Sequence, residues 1–167
     1  MIGNKRFDCE EMFMHACSFY DCAEITLKKF EQDTEVIRYV LPVGVNFAFA
    51  SEVFLKCILK HNGISYDKEH ELIKLFNLLP EDIKNPIQNF LELGYRGFSK
   101  DYVKIKYFDN INKAFVNWRY AYEHDFRKCK TMDFEIGFLI TFSDILREVC
   151  CTRLFGRSWE EYSKGEK

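Results

Sequence analysis

Arg119 and His124 stand five positions apart in the run Arg119-Tyr120-Ala121-Tyr122-Glu123-His124, the one stretch of the chain whose residue types and spacing suggest chemistry. A guanidinium is a permanent planar cation that pairs with phosphate through a fork of donors, and an imidazole moves a proton near neutral pH. Together they could stabilise and protonate a phosphodiester with no metal. The spacing alone leaves a plainer arrangement open. A surface arginine can pair with a nearby carboxylate, and Glu123 lies one turn below Arg119; a histidine at a helix end is favoured by the macrodipole.

A second stretch has the composition of an RNA contact. Between Tyr95 and Tyr107, Arg96, Lys100, Lys104 and Lys106 face the single acid Asp101 and are interleaved with Tyr95, Phe98, Tyr102 and Tyr107. Aromatic faces stack unpaired bases while cations follow the phosphates, the combination expected for single-stranded RNA. The alternative is a solvated loop whose aromatics pack inward and whose lysines serve solubility. Just beyond His124, Arg127, Lys128 and Lys130 extend the basic character.

The rest of the composition sets bounds. The chain has 167 residues, 47% of them hydrophobic, the size and content of one domain spanning 1–167 with a substantial core. A net charge of -2 exerts no overall pull on nucleic acid or an anionic membrane, so such a partner has to be met by a local patch. The seven cysteines form no Cys-x-x-Cys pair, and the polar start from Met1 to Glu10 lacks the run of a signal peptide. A cytoplasmic location is therefore expected, with thiols packing as small apolar groups and no metal site; a vicinal disulfide between Cys150 and Cys151 is the lesser reading. The longest apolar stretch, Val36 to Leu59, is broken by Asn46, Ser51, Glu52 and Lys56, which argues against a membrane span.

The elements that must position these residues are helices. Apolar residues recur with helical period from Cys9 to Phe30, predicting a long amphipathic first helix. Pro42 suits the first turn of a second, which runs to the Asn62-Gly63 stop and is apolar nearly all round, the signature of the central helix. A short third helix carries Leu72, Leu75, Phe76 and Leu79 and closes at Pro80, which also starts a fourth; Pro86 either kinks that helix or restarts it. The segment near 95–107 reads as short and irregular or extended. Asp109 is a candidate N-cap for a helix burying Ile111, Ala114, Phe115, Trp118 and Tyr122. A last long helix is expected from near Asp133 to Gly156, followed by a capping box at Ser158-Trp159-Glu160-Glu161 whose Trp159 and Tyr162 dock on the bundle. The sum is an all-α bundle of about five to six helices. Within it Glu52 and Lys56 have ion-pair spacing, and Asn46 is expected to hydrogen-bond a neighbouring helix. His70 is expected to cap or pack against the third helix, and His15 and His61 to lie on the surface.

Three stretches in this order resemble the HEPN family, small helical bundles of prokaryotic toxin–antitoxin and antiviral systems. They are Pro42-x-x-x-Asn46-x-x-x-Ala50-x-Glu52-x-x-Leu55-Lys56, His70-x-Leu72-x-x-Leu75-Phe76-x-x-Leu79-Pro80, and Phe115-x-x-Trp118-Arg119-Tyr120-x-Tyr122-Glu123. The resemblance implies an Arg-x4-His motif that cuts RNA without metal or cofactor. A ribose 2′-hydroxyl attacks the adjacent phosphate, Arg119 steadies the phosphorane charge, and His124 transfers a proton or orients the RNA. It also implies a homodimer, because the site is shared between two protomers. Tyr120 stands where the family commonly has a small polar residue and can hydrogen-bond a phosphate or stack on a base. The alternative within the same resemblance is a non-catalytic dimeric module that binds a nucleotide or a partner protein, such as an antitoxin or a nucleotidyltransferase. A further one is an immunity-type protein that sequesters another chain.

Overall fold

The computed structural model describes residues 3–32, 37–94, 111–112 and 136–165, and the described residues form an all-α bundle of six helices with no strand. These are α1 (Gly3–Gln32), α2 (Ile37–His61), α3 (Leu72–Asn77), α4 (Glu81–Gly94), α5 (Ile136–Phe155) and α6 (Trp159–Lys164). The segment expected to be irregular near 95–107, the Asp109 cap and the helical stripe from Ala114 to Tyr122 lie outside the described residues.

α2 is the axis of the bundle, as its all-round apolarity predicts. Val43, Phe47, Ala48, Ala50, Phe54, Leu55, Cys57, Ile58 and Leu59 are all buried. α1 packs antiparallel along it, since Asp8 meets Lys60, Cys9 meets Cys57 and Phe19 meets Phe49. α5 covers another side, joined to α2 by a hydroxyl pair of Ser51 and Ser143 at 2.6 Å. Ser143 Oγ also lies 3.1 Å from the Phe47 carbonyl and has one proton to give, so it donates there and accepts from Ser51. Both serines are buried and both are satisfied by this relay. Tyr39–His61 is long and apolar enough by composition to cross a membrane, and 61% of that window is buried inside the bundle.

The end of the bundle built from α1, α5 and α6 is aromatic. Phe13 packs against Phe54, Phe155, Trp159 and Tyr162 with ring centroids 5.8, 5.4, 6.1 and 5.7 Å away. The expected capping box is present: Ser158 Oγ accepts from the Glu161 amide, and the Glu161 carboxylate accepts from the Ser158 amide. Gly156 closes α5 at φ +70° and Gly63 closes α2 at φ +72°, left-handed positions that favour glycine.

Two helix boundaries differ from the sequence reading. α1 extends beyond the Cys9 to Phe30 stripe at both ends, because a helix once nucleated propagates through polar residues that need no apolar face. α2 already runs from Ile37, so Pro42 lies more than one turn inside it and does not occupy its first turn. Of the two readings of Pro86, a restart is not seen: α4 continues through it as one helix. Proline removes the donor that the Asp82 carbonyl would receive, and Arg153 of α5 reaches over to that carbonyl at 3.4 Å and to the Asp82 carboxylate at 3.0 Å. Asn46 is half-buried within α2, and no hydrogen bond joins its side chain to another of the described residues. His15 and His61 are exposed, as expected.

Candidate functional site

The best-defined polar junction among the described residues is where the first two stretches of the resemblance meet. Glu52 and Lys56 are one turn apart on α2 and form the expected ion pair, Lys56 Nζ to Glu52 Oε1 at 2.7 Å. His70, 18 residues further along the chain than Glu52, brings its Nδ1 to the same oxygen at 2.8 Å. It therefore bridges α3's start to α2, and the cap of α3 falls elsewhere: Glu71 is the N-cap residue and makes no side-chain cap bond. The Glu52 side chain is only 3% exposed while that of His70 is 56% exposed. A carboxylate is costly to bury, and two cationic or proton-donating partners offset that cost. With Nδ1 donating to the Glu52 carboxylate, the imidazole is fixed in orientation. The second oxygen, Glu52 Oε2, is buried and has no hydrogen-bond partner.

The start of α3 is instead capped from a distance. The Asn112 carbonyl accepts from the Leu72 amide at 3.2 Å, and Asn112 Oδ1 accepts from the Ile73 amide at 2.8 Å. Asn112 Nδ2 then donates to Glu71 Oε2 at 3.0 Å, and the adjacent Ile111 is fully buried, as expected from its stripe. Sequence reasoning did not single out Asn112. The available signal was the lack of Ser, Thr, Asp or Asn immediately before Leu72, which leaves the first amides of that helix to be satisfied from elsewhere.

The connection between α2 and α3 is held by local charges. Glu69 Oε1 accepts from the backbone amides of His70 and Glu71, both at 2.9 Å. Those amide bonds, the Glu71 amide first, hold its carboxyl below the usual range. Lys74 pairs with Glu71 at 3.0 Å and Glu69 at 3.5 Å, which raises its ammonium above the usual value, the hydrogen bond to Glu71 contributing most. Lys56 also lies over the Tyr66 ring, 5.7 Å from its centroid. An open depression of about 620 Å³ runs along this connection, and its charged lining, Asp67 and Glu69 against Lys68 and Lys74, cancels. It offers a phosphate no net attraction.

Arg119, His124, Tyr120, Arg96, Lys100, Lys104, Lys106, Arg127 and Lys128 all lie outside the described residues. Of the three stretches that carry the resemblance, the structure brings the first and second together through Glu52 and His70. It ties the residues just before the third, Ile111 and Asn112, to the start of α3. No group of three or more His, Cys, Asp or Glu side chains suited to a metal ion occurs among the described residues. The six described cysteines are thiols.

Fold and junction together define an all-α helical bundle with one buried, doubly paired carboxylate. Comparison with family models, with curated proteins and with solved structures gives no match.

Proposed function

We propose that this chain is a HEPN-like protein of a prokaryotic defence or toxin–antitoxin system, acting as a metal-independent endoribonuclease on single-stranded RNA in the cytoplasm. The observation that carries this reading is the meeting of Glu52, Lys56 and His70: residues singled out from two separate stretches of one resemblance share a single carboxylate oxygen, at 2.7 and 2.8 Å. The cap that Asn112 supplies to α3 adds support, because it fixes the chain seven residues before Arg119 against the same junction.

In this reading a ribose 2′-hydroxyl attacks the neighbouring phosphorus and the bond to the 5′-oxygen breaks, leaving a cyclic phosphate. Arg119 holds the charge that builds on the non-bridging oxygens, and His124 carries the proton. Tyr120, Arg96, Lys100, Lys104, Lys106, Arg127 and Lys128 hold the RNA, and two protomers complete the cleft. The test is cleavage of a mixed-sequence single-stranded RNA in excess EDTA by the natural chain, Arg119→Ala and His124→Ala, all three checked for fold by circular dichroism. Cleavage confined to the natural chain is expected.

A second reading rests on Glu123, one helical turn from Arg119 in sequence, which can occupy the guanidinium as an ion pair. The chain is then a non-catalytic dimeric module that binds a nucleotide or a partner such as an antitoxin or a nucleotidyltransferase. Glu123→Gln separates the two readings: it raises cleavage if Glu123 restrains a working Arg119, and leaves the RNA intact if the module is non-catalytic.

A further inference from the structure

The three long helices each carry a cysteine into one place in the core. Cys9 of α1, Cys57 of α2 and Cys150 of α5 are all buried to within 1% of complete. The Cys57 thiol donates to the Cys9 carbonyl at 3.1 Å, so its sulfur lies beside the backbone of a residue 48 positions away. Ionisation of either the Cys9 or the Cys150 thiol is opposed by the neighbouring Cys57. Cys57 is thus the shared neighbour of two thiols on two other helices.

This cluster is inert while the bundle is closed. Burial pushes the Cys9 thiol up to about 11 and drives Cys150 well above its ordinary value, so at neutral pH neither is appreciably a thiolate, the form that attacks a disulfide. The two partners of Cys57 differ in how they can be uncovered. Cys150 lies near the end of α5, but that end is pinned by Phe155 against Phe13 and by the Glu148 carboxylate accepting from the Trp159 amide at 3.0 Å. Cys9, in contrast, lies near the start of α1, where the neighbouring tie is the ion pair of Asp8 and Lys60, both partly exposed, at 3.0 Å. Exposed ion pairs contribute little stability, and helix ends open far more readily than whole domains.

We propose that Cys9 and Cys57 form an oxidisable pair, converted by a low-molecular-weight disulfide into a covalent staple between α1 and α2 when the first turns of α1 open. One cysteine thiolate attacks a sulfur of oxidised glutathione, releasing a glutathione thiolate and forming a mixed disulfide. The second cysteine thiolate attacks the protein sulfur of that mixed disulfide and releases the other glutathione. The two protein sulfurs are oxidised, glutathione is reduced, and the two cysteine protons pass to the released thiolates.

The full chain carrying Cys22→Ser, which removes the exposed thiol on α1, is incubated with oxidised glutathione a few degrees below its thermal midpoint. It is then quenched with an alkylating agent and digested without reduction for mass spectrometry. The expected product is a linked pair of peptides containing Cys9 and Cys57, absent in Cys57→Ala and in Cys9→Ala, either of which serves as the control if the other does not fold. The stapled chain unfolds at a higher temperature, and dithiothreitol reverses the increase. A Cys57–Cys150 link in its place, glutathione adducts without any Cys9–Cys57 link, intact thiols at both positions, or a staple that lowers the midpoint overturns the proposal.

Discussion

Two charged clusters enter this bundle from opposite chemical directions. At the α2–α3 junction the most buried member is an anion, Glu52, whose partner Lys56 is itself mostly covered and whose partner His70 reaches solvent. At the α1–α5 face it is a cation. The Arg147 side chain is 14% exposed, while its carboxylate partner Asp144 is 47% exposed. The Arg147 guanidinium lies between the Tyr20 ring at 3.7 Å and the Trp159 ring at 4.7 Å, and the Tyr20 hydroxyl bonds Asp144. Each cluster keeps one buried polar atom without a hydrogen bond, Glu52 Oε2 and Arg147 Nε. A delocalised guanidinium tolerates burial between aromatic faces, whereas a compact carboxylate depends on directed donors. The arginine cluster is therefore held mainly by packing, and the glutamate cluster by bonds that fix where His70 and the start of α3 sit.

The largest expected effect comes from removing the directed donor. Lys56→Met leaves the buried Glu52 with His70 alone and should cost about 3 kcal/mol in urea unfolding. Adding Glu52→Gln to that variant should restore part of the loss, a coupling of about 1–2 kcal/mol; strictly additive losses would show that the carboxylate is not what Lys56 serves. Arg147→Ala should cost about 2 kcal/mol, and Arg147→Lys about half of that, because lysine keeps the charge but not the flat face that both rings cover. If lysine restores full stability, charge and not stacking holds that cluster. Asn112→Ala should cost about 1 kcal/mol by removing the side-chain cap of α3, with faster amide exchange at Ile73 and no change at Tyr162.

The smallest effect is a pH dependence. The Ser158 amide, then its hydroxyl, hold the Glu161 carboxyl below the ordinary glutamate range. Its stabilising contribution is present above the unfolded pKa and is lost as pH falls through the lowered folded value. Glu161→Gln should therefore flatten the thermal midpoint against pH on the acid side and leave the neutral side parallel to that of the natural chain.

Local chemistry was legible in the chain, and contacts between distant segments were not. The capping box at Ser158, the glycine stops at Gly63 and Gly156, and the pairing of Glu52 with Lys56 each depend on neighbours within one turn, and each is present. Which of the two readings of Pro86 holds was not legible, because Arg153, which meets the freed Asp82 carbonyl, comes from another helix. The same holds for His70 on Glu52, for Asn112 at the start of α3, and for the serine relay joining α2 to α5. Periodicity marks a buried face without saying which helix covers it. Of the candidate site, the described residues include the junction beside it, and the Arg119 to His124 run lies outside them.

The most direct measurement is the end chemistry of RNA cut by the natural chain in excess EDTA, read by mass spectrometry of the fragments. Fragments ending in a 2′,3′-cyclic phosphate, and lost in both Arg119→Ala and His124→Ala, are the expected result. Intact RNA, or cleavage that persists in either variant, would contradict the nuclease reading and leave the binding module in its place.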